Sequence, residues 1–133
     1  MNFQYTLQID DNQKSLIKIS EPNLLSLQDL LNTINVYPYI QDVIDEFKAI
    51  KEKSSSLDDL IENKYNGYWE DEDLGKCFTV LGFEDICAFM KDGIVLIESE
   101  YLYPEVPRVK LDITEFIQIL ESWRDILKSH FKK

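Results

Sequence analysis

The sequence predicts an α+β fold: one domain over residues 1–133, with a mainly antiparallel sheet built from an N-terminal hairpin and a central Asp-Gly hairpin, packed with three to four helices. Three observations predict it. Residues Phe3 to Ile9 alternate apolar and polar side chains with the period of a strand. Asp92-Gly93 joins two apolar runs in the manner of a two-residue turn. Two segments, Tyr39 to Ile50 and Ile113 to Leu127, repeat apolar residues at helical spacing. With 133 residues, 44% of them hydrophobic, the chain can bury a core without metal or disulfide support.

In order along the chain, Phe3, Tyr5, Leu7 and Ile9 alternate with Gln4, Thr6 and Gln8, the pattern of a half-buried strand. Asp10, Asp11 and Asn12 supply turn chemistry before a second strand, Ser15 to Ile19. Ser26 with Asp29 three positions on matches a capping box, followed by Leu27, Leu30, Leu31 and Ile34 at helical spacing. Pro38 disfavours helix at Tyr37, so that helix ends near Asn35 and the next starts at about Tyr39, with a stripe of Ile40, Val43, Ile44, Phe47 and Ile50. A short third helix, Leu57 to Asn63, follows Ser54-Ser55-Ser56, with Ser56 as its cap. Tyr65 to Gly75 has no periodicity and reads as a loop of about ten residues, long enough in a compact domain to suggest a functional role.

Strand-like runs come next at Lys76–Leu81, Ile86–Lys91 and Ile94–Ser99. A two-residue Asp92-Gly93 turn pairs Lys91 with Ile94, Phe89 with Leu96 and Ala88 with Ile97. One face of that hairpin then carries Ile86, Ala88, Met90, Val95 and Ile97, and the other Cys87, Phe89, Ile94 and Leu96. Both faces are apolar, so both need cover. Tyr101 to Pro107 is a proline-bounded connector, and Arg108–Leu111 adds an edge strand. Asp112 caps the last helix with Glu115 at its third position, and Ile113, Phe116, Ile117, Leu120, Trp123 and Leu127 form its stripe. Arg124, Lys128, His130, Lys132 and Lys133 near its end complement the helix dipole rather than form a nucleic-acid patch.

Charge is the main functional clue. Residues 54–105 hold 13 Asp/Glu against 3 Lys, a net of −10, so the whole-chain −11 is a local property. Such a field attracts a basic partner and repels nucleic acid and anionic membranes. Within it, Glu70-Asp71-Glu72-Asp73 follows Tyr65, Tyr68 and Trp69, and interface hot spots favour Trp and Tyr ringed by polar groups. A second group, Glu98, Glu100 and Glu105, is interleaved with Tyr101 and Tyr103, while Asp58, Asp59 and Glu62 extend the acidity. The expected partner-binding residues are therefore Tyr68, Trp69, Glu70, Asp71, Glu72, Asp73, Glu98, Glu100, Tyr101, Tyr103 and Glu105. Trp69 has a plainer reading as an anchor holding the loop to the core.

Catalytic patterns are missing. His130 is the single histidine, three residues from the end, so Ser-His-Asp and Cys-His arrangements lack a base. Phosphate-cradling glycine motifs, HExxH and CxxC pairs are absent, and the acidic run lacks the EF-hand order, so no cofactor and no metal ion is expected. Cys77 and Cys87 sit in apolar contexts and read as buried reduced thiols, which with the lack of a signal peptide or spanning segment places the chain in the cytoplasm.

From the Cys/Phe-containing strand at residue 76 to residue 128, the chain combines the Asp-Gly hairpin, Tyr101-Leu102-Tyr103-Pro104, Val109-Lys110-Leu111-Asp112, Glu115-Phe116 and Leu120-Glu121-Ser122-Trp123. In this it resembles small bacterial immunity proteins of polymorphic toxin and contact-dependent growth inhibition systems. The resemblance implies a cytoplasmic, non-enzymatic inhibitor that binds and occludes the toxin domain of its own locus, often a basic nuclease. It carries no binding residues over, because these proteins vary most where they bind. The expected function is stoichiometric inhibition of a cognate basic toxin. The alternatives are an acidic adaptor for a basic protein or peptide and a cation-dependent carboxylate enzyme.

Overall fold

The computed structural model describes residues 1–52, 61–62, 65, 67–82, 86–99, 102 and 104–131. Within them, ten elements run in the order β1 (Tyr5–Ile9), β2 (Ser15–Ile19), α1 (Leu25–Thr33), α2 (Tyr37–Glu52), β3 (Trp69–Asp71), β4 (Gly75–Gly82), β5 (Ile86–Lys91), β6 (Ile94–Ser99), β7 (Val109–Asp112) and α3 (Ile113–Phe131). The α+β class holds, but the expected single sheet is two: β1 and β2 form one antiparallel sheet and β3 to β7 a second, each strand beside its sequence neighbour within its sheet. The sheets are separate because helix α1, and not the central hairpin, packs along the free edge of β2. Most of the third expected helix, Leu57 to Asn63 with its Ser56 cap, lies outside the described residues, although 61–62 are helical.

The Asp-Gly hairpin forms in the expected register, with Lys91 opposite Ile94, Phe89 opposite Leu96 and Ala88 opposite Ile97. Both turn residues have positive φ, 48° at Asp92 and 82° at Gly93, which this turn type requires. Side chains on one face of the sheet, among them Phe78, Ala88, Met90, Val95, Ile97 and Val109, join the main core with the apolar stripes of all three helices. Helix α1 lies over β5 and β6, α3 over β6 and β7, and α2 packs on α3. Trp123 is fully buried there and donates its indole N–H to the Leu31 carbonyl at 2.8 Å, satisfying a polar atom that could not otherwise enter the core. Phe47 meets Phe116 edge to face at 4.9 Å, joining α2 to α3.

Helix entry follows local chemistry in two cases and departs from the sequence pattern in a third. Asp112 is the N-cap of α3, its Oδ1 accepting the Thr114 N–H at 2.8 Å. Pro38 lies in the first turn of α2, which starts at Tyr37 instead of Tyr39, because a proline there loses no helical hydrogen bond. The Ser26–Asp29 capping box does not form. A 3₁₀ turn at Pro22–Leu24 already winds the chain into α1, so Ser26 falls inside the helix, where its hydroxyl is buried without a hydrogen-bond partner.

The first strand also departs from expectation. Its alternation predicts a half-buried strand, yet every residue of β1 is exposed, while Ser15, Ile17 and Ile19 of β2 are buried. The cause is position. Helix α1 packs against β2, and β1 overhangs on the far side of it. Side-chain amides of α1, and of Asn35 just beyond its end, take the place of a third strand along the outer edge of β2. Asn32 accepts the Ile17 N–H at 2.8 Å and donates to the Ile17 carbonyl at 3.0 Å, Gln28 accepts the Ile19 N–H at 2.8 Å, and Asn35 donates to the Ser15 carbonyl at 3.0 Å. Gln28 and Asn32 lie four residues apart on one face of α1, and Asn35 follows directly after the helix, so the three amides meet one strand edge.

Candidate functional site

The segment Tyr65 to Gly75 is not the unstructured loop its aperiodicity predicts. Residues Trp69–Asp71 form β3, paired antiparallel with β4 so that Trp69 faces Cys77, Glu70 faces Lys76 and Asp71 faces Gly75. Strand alternation then decides which side chains are available. Trp69 and Asp71 turn toward the second face of the sheet, and Glu70 turns away from it.

The chain itself covers part of that second face, while Ile94 at its end stays exposed. Cys77, Phe89 and Leu96 are buried there beneath Trp69 and Leu74, with the Trp69 ring edge-on to Phe89 at 4.5 Å and its indole N–H donating to the Thr79 hydroxyl at 3.2 Å. The anchoring reading of Trp69 is the one the geometry supports. Val80 is the extra residue of a bulge, since Thr79 pairs with Phe89 and Leu81 with Ala88. The bulge bends β4 and helps the hairpin roll over the sheet.

Rolling brings the sheet's two edges together. In a flat five-stranded sheet, β3 and β7 would lie about 19 Å apart at ordinary strand spacing, beyond an arginine's reach. Yet Arg108, immediately before β7, contacts Asp71 with Nη1 on Oδ1 at 2.5 Å and Nη2 on Oδ2 at 3.4 Å, and places Nη2 on Asp73 Oδ2 at 3.0 Å. The Arg108 and Asp71 side chains are 12% and 7% exposed, so this pair is nearly closed to solvent, whereas Asp73 is open. Asp71 Oδ2 also accepts the backbone N–H groups of Asp73 and Leu74, at 3.0 and 3.1 Å, which fixes the turn. The Arg108 hydrogen bond, together with those backbone bonds, holds the Asp71 carboxyl below its ordinary range despite opposition from burial.

Of the expected binding residues, Tyr68, Glu70, Glu72, Asp73 and Glu105 are exposed, and Glu98 is half-buried. Glu100, Tyr101 and Tyr103 lie outside the described residues, as do Asp58, Asp59, Lys132, Lys133 and the side chains of Cys87 and His130. Arg108 holds Asp71 and Asp73 of the first acidic segment, and in sequence it follows Glu105 by three residues. Glu98 adjoins Ile97, whose partner Val109 adjoins Arg108, so Glu98 and Arg108 sit level on neighbouring strands. Sequence reasoning missed Arg108 as the organiser of this region. The available signal was an arginine just past the acidic stretch, directly before an edge strand.

Beside this surface an open cleft is lined by Glu46, Tyr65, Tyr68, Trp69, Thr79 and Val80. Tyr65 donates its hydroxyl to Glu46 Oε1 at 2.6 Å, and its ring tilts onto Phe78 at 5.2 Å. Burial first, and the Glu46 hydrogen bond second, push the Tyr65 phenol well above its usual titration range. The Tyr68 ring, 43% exposed as a residue, carries Lys76 Nζ at 5.4 Å from its centroid, within cation–π range. The face therefore already binds an ammonium group from its own chain. Among the described residues, no group of three or more His, Cys, Asp or Glu is placed to hold a metal ion, and no helix is long and apolar enough to cross a membrane. The chain matches no family model, no curated protein and no solved structure.

Proposed function

We propose that this chain is an acidic binding protein rather than a catalyst, acting through the surface around the β3–β4 turn. More particularly, we infer a stoichiometric inhibitor of the immunity type, one that occludes the basic active-site cleft of a cognate toxin domain in the cytoplasm. The observation that supports the reading is the Arg108 bridge, which holds Asp71 and Asp73 at the β3–β4 turn while Glu70, Glu72, Asp73 and Glu105 stay open to solvent. A rigid cluster of one sign speeds encounter with a basic surface, and the neighbouring Tyr68 ring offers a cation–π contact that lengthens residence. Trp69 and Asp71 support this surface from beneath. Contact is assigned to Tyr68, Glu70, Glu72, Asp73, Glu98 and Glu105, with Glu100, Tyr101 and Tyr103 in the adjoining segment.

Co-expression with the product of the neighbouring toxin gene tests the reading. A one-to-one complex that dissociates slowly, and survival of cells making the toxin, is the expected result. The double variant Glu70→Lys/Glu72→Lys should lose that protection while keeping its fold, since both side chains are exposed. Neither complex nor protection from the unaltered chain would overturn the proposal. Weak, strongly salt-dependent capture of several basic proteins would point to an adaptor instead.

A further inference from the structure

The open edge of β1 carries an observation independent of the acidic surface. Ser20 donates its N–H to the Gln4 carbonyl at 3.0 Å and Asp10 to the Lys14 carbonyl at 2.9 Å, which sets the hydrogen-bond phase of the hairpin. In that phase Gln4, Thr6, Gln8 and Asp10 point their backbone groups at β2, and Tyr5, Leu7 and Ile9 point theirs outward. Among the described residues, nothing bonds to the outward N–H and C=O groups of these three. Their side chains are 36%, 42% and 54% exposed, on the face whose β2 members Ile17 and Ile19 are buried.

Proteins ordinarily protect such an edge with lysine, proline, a bulge or an inward charge. Strand β1 has none of these. Residues 1–9 contain no charged side chain at all, in a chain of net charge −11. A basic partner would be drawn to the acidic stretch, not to this neutral strand. The strand Tyr5-Thr6-Leu7-Gln8-Ile9 is also symmetric in character about Leu7, with apolar residues at its two ends and centre and polar ones between.

We propose that β1 pairs antiparallel with β1 of a second copy about a two-fold axis at Leu7, giving a continuous four-stranded sheet. In this register Leu7 faces its own counterpart and Tyr5 faces the partner's Ile9. The six outward backbone groups of each copy then find partners, so no part of the exposed edge is left over. On one face Tyr5, Leu7 and Ile9 of the two copies form a single apolar band that extends the row of Ile17 and Ile19. On the other face Thr6 meets Gln8. No like charges are opposed in the strand pair, and acidic repulsion between the remaining surfaces keeps the association reversible and strengthens it as salt is added.

Sedimentation equilibrium on the full chain over about 2 to 200 μM, at low and high salt, tests this. The expected result is a rise in mass from 15.7 kDa toward twice that value, greater at high salt. Leu7→Lys, which sets two ammonium groups opposite one another, should abolish the rise with far-UV circular dichroism unchanged. Leu7→Cys should oxidise to a covalent dimer, because directly opposed residues of a hydrogen-bonded pair lie about 5.5 Å apart at Cα. Thr6→Cys, which meets Gln8 on the other face, should not cross-link above the unaltered chain. A monomer at every concentration and salt level, or a dimer indifferent to Leu7→Lys, would overturn the proposal. So would a monomer in which Leu7→Lys instead weakens binding of a toxin, assigning the edge to a strand of that partner.

Discussion

The two sheets of this molecule treat their edges in opposite ways. The five-stranded sheet curls enough for Arg108, just before β7, to pair with Asp71 of β3, beside a small apolar cluster of its own. The two-stranded sheet stays open. One of its edges is occupied by the amides of α1, and the other faces solvent with three large apolar side chains. An edge can therefore be closed by a salt bridge, closed by side chains that imitate a strand, or left for another chain. The physical difference lies in what is packed behind each strand, since all three edges carry the same backbone chemistry.

Breaking the closed sheet should have the largest effect. Arg108→Met leaves the Asp71 carboxylate nearly buried without its guanidinium and should lower unfolding free energy by about 3 kcal/mol, measured by urea denaturation. The same bridge sets an acid limit. Because the folded-state pKa of Asp71 is held down, its contribution is present above the ordinary carboxylate value near 3.8 and is lost as pH falls through the lowered folded value. Denaturation midpoints should drop over that acid window in the native chain, and this component of the drop should shrink in Arg108→Met, where only the backbone bonds from Asp73 and Leu74 still favour the carboxylate.

The capped edge comes next. Asn32→Ala strips partners from both the N–H and the carbonyl of buried Ile17 and should cost about 2 kcal/mol, read from the same denaturation curves. It also gives the small sheet a second open edge, so hydrogen exchange at Ile17 should quicken more than at residues of the rolled sheet. Smallest of all is Leu7→Lys. At an exposed position outside the main core cluster, the stability of the single chain should change by less than about 0.5 kcal/mol. A larger loss would mean that β1 contributes to the core and would erase the contrast between the edges.

Much of this contrast was beyond reach from the sequence. Pairing within the Asp-Gly hairpin was legible because a two-residue turn leaves one register, and the stripes of α2 and α3 were legible because twelve or more residues repeat one period. Asp112 announced its helix because capping is decided within four residues. Strand β3 was illegible for the opposite reason: three residues carry no period. The exposure of β1 was misread because alternation reveals that a strand has two different faces without revealing whether anything lies against either. At the candidate site, the acidic and aromatic composition of Tyr68 to Asp73 was plain in the chain. The inward turn of Trp69 and Asp71 depended on Phe89 and on Arg108, 37 residues beyond Asp71, and separations of that length leave no local trace.

The bond from the Trp123 indole to the Leu31 carbonyl spans 92 positions. On a ribosome, α1 emerges long before Trp123 is made, so one of its carbonyls and the apolar face it shares with α3 must wait while 92 further residues are added. During that interval the amide-capped β2–α1 unit can form locally, because its contacts span fewer than about 20 residues, while core closure waits for α3. The order of events in a growing polypeptide is thus written into a single buried hydrogen bond.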